Sequence, residues 1–472
     1  MQRRRLLASV GLLAGAAGCG GTTSGDGADP STNAPASTGS TTQPTTSTSE
    51  SATTDTPTST VPVYEQRANE EVTSSLPLDT GFATPGGWLD GDVPVQRVSE
   101  PTRAALAEAL GASGPSLVVF DTTGTIDLGG EPVSVTGGPT WVAGQTAGNP
   151  GVSLVRGSLV VSADDCVVQH LSIYAGDAES SSTGTVATTV STSTAPAADG
   201  YAVTTAEGTE TVVLDHLTAG WGRHGALRVG ADARDTTVVN CLLGETLTDD
   251  PGEESQDAGI LVGEDADRVA LLANTVAENA RGNPHLAAGS RTVVGESVFS
   301  KFEHGTHVAA GAAAALVTDA YLLTGRTDAP VVSGAGTVYV DDCRATEPAL
   351  DGDQAFVGPD LTVVEEPPLW PAAYRPLARE TVLGTTFYQR GAFTNVETPL
   401  REGLLASVET GEGAYVADPA EAGGYPAVEG ERFTRDVPDA NRRCWLDYLA
   451  RGVEGHVNRP GWQTVCSSSE DP

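Results

Sequence analysis

The sequence predicts an all-β solenoid of short stacked strands, and three observations carry that expectation. A short motif of apolar residues broken by a polar one recurs through the middle of the chain. It reads Val167-Val168-Gln169-His170-Leu171, Val213-Leu214-Asp215-His216-Leu217, Val238-Val239-Asn240-Cys241-Leu242 and Leu272-Ala273-Asn274-Thr275-Val276, with looser copies around Glu296, Asp319 and Asp341. Its polar markers run from Asp215 through Asn240, Asn274, Glu296 and Asp319 to Asp341 in steps of 25, 34, 22, 23 and 22 residues. A period in the low twenties made of short strands marks a stacked repeat, because such strands bury a core only by sharing it. Finally, 39% apolar residues with 5% aromatics and 56 glycines suit an aliphatic core with many tight turns better than a helical bundle.

The elements follow in chain order. Residues 1–19 read as an export signal. Arg3-Arg4 before Leu6-Leu7 resembles a twin-arginine signal, and the apolar run from Leu6 to Gly18 is too short to span a bilayer, which needs about 20 residues. Ala16-Ala17-Gly18-Cys19 resembles a lipobox, so Cys19 is expected to carry a lipid. Residues 20–61 are mostly Ser, Thr, Pro, Gly and Ala. They cannot bury enough apolar surface to offset chain entropy and are expected to form a disordered tether. Residues 62–345 hold the repeat. Two departures from its period, Ala178 to Ala198 and the acidic stretch Thr248 to Asp257, are expected to be loops projecting from one face. Residues 346–472 are expected to cap the solenoid and pack along it, since a bare end would expose core and strand edges. In that tail Cys444 and Cys466 close a short loop and are read as a disulfide. Cys166, Cys241 and Cys343 fall in strand-like apolar runs, where a buried free thiol is the default.

The chain carries 62 acidic against 26 basic residues, a net charge of -36, and Lys301 is its single lysine. Such a surface repels nucleic acids and anionic membranes, leaving the lipid anchor as the expected membrane contact. It also suits a protein hydrated in high salt, where screening shortens to ~3 Å at 1 M. A halophilic, exported or cell-surface monomer is expected.

Within this frame, short motifs fall in a telling order. They include Val118-Val119-Phe120-Asp121-Thr122-Thr123-Gly124-Thr125-Ile126, Ala143-Gly144-Gln145-Thr146-Ala147, Val213-Leu214-Asp215-His216, Trp221-Gly222, Asn240-Cys241-Leu242-Leu243-Gly244-Glu245 and Asn283-Pro284-His285-Leu286. Gly423-Gly424-Tyr425-Pro426 and Val437-Pro438-Asp439-Ala440 follow late in the chain. In this order the chain resembles the pectate lyases, in particular the bacterial type with a long C-terminal region. The resemblance implies a right-handed parallel β-helix and β-eliminative cleavage of a uronate-containing polysaccharide. In that chemistry Ca²⁺ held by carboxylates neutralises the sugar carboxylate, an arginine removes the neighbouring proton, and the glycosidic oxygen leaves.

Carried over residue by residue, the resemblance makes Asp199 and Asp177 the candidate Ca²⁺ ligands and Trp221, Arg223 and His224 candidate substrate contacts. Where the family has an acidic pair after the tryptophan, this chain has Arg223-His224-Gly225, so calcium ligands are missing. Glu253, Glu254 and Asp257 are possible substitutes from the acidic loop. The family's catalytic arginine position is Gly282 here, with Arg281 one place earlier, and His285 replaces an arginine after Pro284. Arg281 is therefore the expected base and His285 a candidate acid or base. The alternative reading is a catalytically degenerate β-helix that binds polysaccharide without cleaving it; paired-carboxylate hydrolysis is a distant third.

Overall fold

Three parallel sheets wrap around one core in about nine turns, giving a right-handed parallel β-helix. The computed structural model describes residues 75–84, 86–176, 200–248, 258–322, 330–346, 356–378, 381–382, 389–393, 396–411, 413–456 and 459–467. The expected export signal with Cys19, the whole of the expected tether, Asp177, Asp199 and the acidic loop at 249–257 lie outside them. Each coil places one strand in an eight-stranded sheet, the next in an eleven-stranded sheet and the third in a nine-stranded sheet. Leu159–Val161, Cys166–Gln169 and Ser172–Tyr174 make one such coil. The eleven-stranded sheet runs past the expected boundary at residue 345, because Thr362–Val363 pairs with Thr337 and Val338.

Strand alternation explains the core. Inward positions of the three sheets, among them Val203, Leu227, Val262, Leu286, Leu214, Val238, Ile173, Leu243 and Phe299, form one continuous buried cluster. Helix α1 (Arg103–Leu110) closes one end with Leu106, Ala109 and Leu110. Its N-cap Thr102 accepts a hydrogen bond from the Ala105 amide.

The turn between the eleven- and nine-stranded sheets corrects the register read from the sequence. Asp215 pairs with Gln169 and Val239, and the column continues through Leu272, Gly295 and Val317 to Asp341. Asn240 and Glu296 instead occupy the next position, where His170, His216, Ala273 and Thr318 also adopt left-handed φ near 50–56°. Asn274 and Asp319 sit one residue further on. What reads as one polar column is three. In the third column, side chains cap the buried amides of the preceding coil. Asn274 Oδ1 accepts from Cys241 N at 2.9 Å, Ser297 Oγ from Asn274 N at 3.3 Å and Asp319 Oδ1 from Ser297 N at 2.8 Å.

The chain ends cover two of the three outer faces. Outside the eleven-stranded sheet, Val167, Val213 and Val239 pack beneath Leu76, Leu89, Val93, Tyr374, Trp445 and Leu446. The last two belong to α3 (Arg442–Val453), which the Cys444–Cys466 disulfide joins to α4 (Trp462–Ser467). Outside the nine-stranded sheet, α2 (Pro399–Thr410) seats Leu400 and Leu404 against Tyr174, Trp221, Leu242 and Ala277. Cys166 and Cys241 are buried free thiols and Cys343 is a half-buried one. Among the described residues no helix is long and apolar enough to cross a membrane.

Candidate functional site

No apolar cluster covers the outer face of the eight-stranded sheet among the described residues. Its outward column runs Thr204, Arg228, Leu261, His285, His307 and Ser333 in direct register. From Arg228 onward these side chains are half-buried rather than enclosed. Arg223, His224 and Arg281 lie in the loops that enter these strands.

Arg281 sits on a tightly tied loop. Asn279 Oδ1 accepts from Thr246 Oγ1 at 2.6 Å, and Asn283 Nδ2 donates to the carbonyls of Asn279 and His304, each at 3.1 Å. The Arg281 carbonyl accepts from Gly259 N at 2.9 Å. A small cleft with room for about a single water lies beside it, lined by Thr246, Thr248, Ala258, Gly259, Asn279 and Ala280. The Nε atoms of Arg281 and Arg223 are buried without a hydrogen-bond partner among the described residues, so both guanidiniums retain unused donors.

Position 282 is closed to a side chain. Gly282 has φ +60°, and a Cβ there would stand 2.4 Å from Ala258 Cβ. This accounts for the arginine's place at 281 in this chain.

The rings of His285 and His307 lie with centroids 4.8 Å apart, tilted at 31°. Burial and then the neighbouring His307 hold His285 below the usual 6.5, and burial lowers His307 likewise. Both imidazoles are neutral at pH 7, and His285 has a lone pair available to accept a proton. His307 Nδ1 lies 3.2 Å from Ser333 Oγ. Arg228 Nη2 is 3.6 Å from Glu207 Oε1, a carboxylate largely in solvent.

Among the sequence-based candidates, His285 stands in the outward column, and Arg223, His224 and Arg281 lie in the loops that enter its strands. His224 is exposed, its ring edge-on to Tyr201 at 6.3 Å. Trp221 does not reach this face, which corrects the expectation of a substrate contact. Its side chain is fully buried on the nine-stranded side, edge-on to Tyr174 and Tyr425, with Nε1 donating to Glu245 Oε2 at 2.7 Å. A ring without exposed surface cannot stack on a sugar. Sequence reasoning missed Arg228 and His307. The signal was present for His307, which follows His285 by 22 residues, one coil of the repeat.

Comparison with known proteins agrees with this architecture. No family model matches the chain. Probable pectate lyase C of Neosartorya fischeri is 25% identical over 362 residues, spanning 73% of this chain and 79% of the relative. Its counterpart in Aspergillus fumigatus is 24% identical over 77% of this chain and 84% of its own. A solved pectate lyase bound to hexasaccharide superposes with TM-score 0.50 at 13% identity, over 68% of this chain and 98% of that one. The chain is a pectate lyase-like right-handed β-helix.

For a pectate lyase-like protein the implied cofactor is Ca²⁺, a hard cation that takes 6–8 oxygen ligands. The described side chains of the open face offer mainly nitrogen: Arg223, His224, Arg228, Arg281, His285 and His307. The one cluster of potential metal ligands among the described residues lies elsewhere, at His170, His216 and Glu454. The described part of this face does not fit calcium.

Proposed function

We propose that this protein cleaves a uronate-containing polysaccharide by β-elimination along the open face of the eight-stranded sheet. The observation that supports this most is the outward column holding Arg228 and neutral His285, with Arg223 and Arg281 in the loops that enter it, on the outer face that the described residues leave uncovered. A chain of net charge -36 would repel a polyanion in general; this face presents guanidiniums to it, and high salt relieves the rest.

The chemistry divides between two residues. Guanidinium stays protonated in proteins, so Arg281 serves as the counter-charge to the uronate carboxylate, and pairing acidifies the proton on the adjoining carbon. His285 accepts that proton. The electron pair forms the carbon–carbon double bond as the glycosidic carbon–oxygen bond breaks, and the leaving oxygen takes a proton from solvent. This assigns the proton-accepting role to His285 rather than to Arg281, the base expected from the family pattern. The expected Ca²⁺ ligands, Asp199 and Asp177, fall outside the described residues, and calcium dependence is a separate question for the assay.

Export and anchoring belong to the same reading. The basic start, short apolar run and Cys19 support a lipoprotein held outside the cell by its tether, acting as a monomer in a saline medium. Replacing Cys19 with Ala should release the protein from the membrane fraction.

The deciding experiment incubates the protein with polygalacturonate and with alginate in high salt, with and without Ca²⁺. Ultraviolet-absorbing unsaturated product, lost in Arg281→Ala and His285→Asn, is the expected result. Binding without product from either polymer would overturn the proposal.

A further inference from the structure

A second constellation lies on the far side of the coil, where the turn between the eleven- and nine-stranded sheets meets the chain ends. His170 and His216 occupy the same left-handed turn position on successive coils, and their rings stack 4.7 Å apart at 14°. His170 Nδ1 is 2.7 Å from the carbonyl oxygen of Ala392. A carbonyl only accepts, so this nitrogen carries the hydrogen and Nε2 carries the lone pair. His216 Nδ1 is 2.7 Å from Asp215 Oδ1, which orients the second ring in the same way.

Both Nε2 atoms then face Glu454, which follows α3. Each lies 3.7 Å from Glu454 Oε1, and the three ligand atoms fall within 4.8 Å of one another. Ser75 Oγ completes the group, 3.1 Å from His216 Nε2 and 3.0 Å from Glu454 Oε2. One feature points to a missing ligand. His170 is fully buried, yet its Nε2 has no hydrogen-bond partner. A buried polar atom left unpaired costs free energy that a bound ligand would recover.

We infer that His170, His216 and Glu454, with Ser75 beside them, bind a divalent transition-metal ion of the zinc class. Two imidazoles and one carboxylate, each imidazole anchored through its other nitrogen, are the donor set and outer support that zinc sites use. Imidazole donors also select against Ca²⁺. Bonds of about 2.0–2.1 Å put tetrahedral ligand atoms ~3.3 Å apart, against up to 4.8 Å here, so the two rings must turn toward each other to close the site. The ion pins residue 75 and the end of α3 to two consecutive coils. Its role is structural, and it stands whether or not the open face is catalytic.

The test strips the full-length protein with a chelator and titrates Co²⁺ alone. The expected result is about one equivalent with the visible absorption of a four- or five-coordinate site, displaced by Zn²⁺ but not by Ca²⁺. Glu454→Gln and His170→Gln should weaken binding at least ~100-fold, and Asp215→Asn about 10–100-fold. Chelation should also lower the melting temperature of the unmutated chain, a readout that holds if the His170 variant fails to fold. A folded, stripped protein that gives no Co²⁺ absorption overturns the site, as does absorption unchanged in Glu454→Gln.

Discussion

Trp221 Nε1 donates to Glu245 Oε2 across 2.7 Å, and one coil further on Glu278 shares the same buried strip beneath α2. Burial pushes Glu245 up to about 7. Burial, with Glu245 adding to it, pushes Glu278 up to about 8. The indole is thus the donor that a partly protonated carboxyl pair retains.

A pH dependence of stability follows. Both carboxyls bind protons more tightly in the folded chain than in the unfolded one. The stability this lends is full below the ordinary value of 4.5 and is lost as pH rises through about 7 and 8. Thermal melting should fall across that window, and Glu245→Gln with Glu278→Gln should flatten the fall. A double variant that keeps the wild-type slope would show that other groups set it.

His285 predicts an acid limb in the activity. A base held below 6.5 loses function as pH falls through its own value, so the rate should be flat near neutrality and drop on the acid side. His285→Asn should reduce turnover by about 10²–10⁴-fold. His307→Ala removes a group whose charging on the acid side opposes protonation of His285, and should move the acid limb toward higher pH. A limb that stays in place separates the two rings.

Gly282 is predicted to be irreplaceable. Gly282→Ala places a Cβ against Ala258 at positive φ and should cost about 1–3 kcal/mol in denaturant unfolding. For the same reason, an arginine introduced at 282 should not rescue Arg281→Ala. Rescue would show that the loop readily rebuilds.

Asp319 is the acidic member of the amide-capping column. Its Oδ1 accepts from Ser297 N, its Oδ2 has no hydrogen-bond partner, and burial holds the acid well above its ordinary value. Asp319→Asn keeps the acceptor and removes the titration. Its melting temperature should exceed that of the wild type at about pH 8 and converge with it near pH 4. Equal melting at both would contradict a protonated Asp319.

Which residues carry the fold was legible because the coil imposes a visible rhythm. Strands must alternate and turns must recur, so the period, the inward Val and Leu, and the Cys241 and Asn274 turns all show in one dimension. The finer register was not legible. A polar residue at the strand end, at the left-handed turn or just after it looks the same in sequence, yet only the last points its side chain at a buried amide.

By itself the sequence determined a parallel β-helix, the likeness to pectate lyases, and the residues Arg281 and His285 on one coil. Tertiary structure decided which face they could serve. A β-helix offers three outer faces of similar pattern, and two are covered by segments far away in the chain, Leu76 to Val93 and the helices between 399 and 467. That coverage buries Trp221 and draws Glu454 to His170 and His216. Among the described residues it leaves open the sheet that carries Arg228, His285 and His307. Covering a face depends on contacts across hundreds of residues, which no local spacing records.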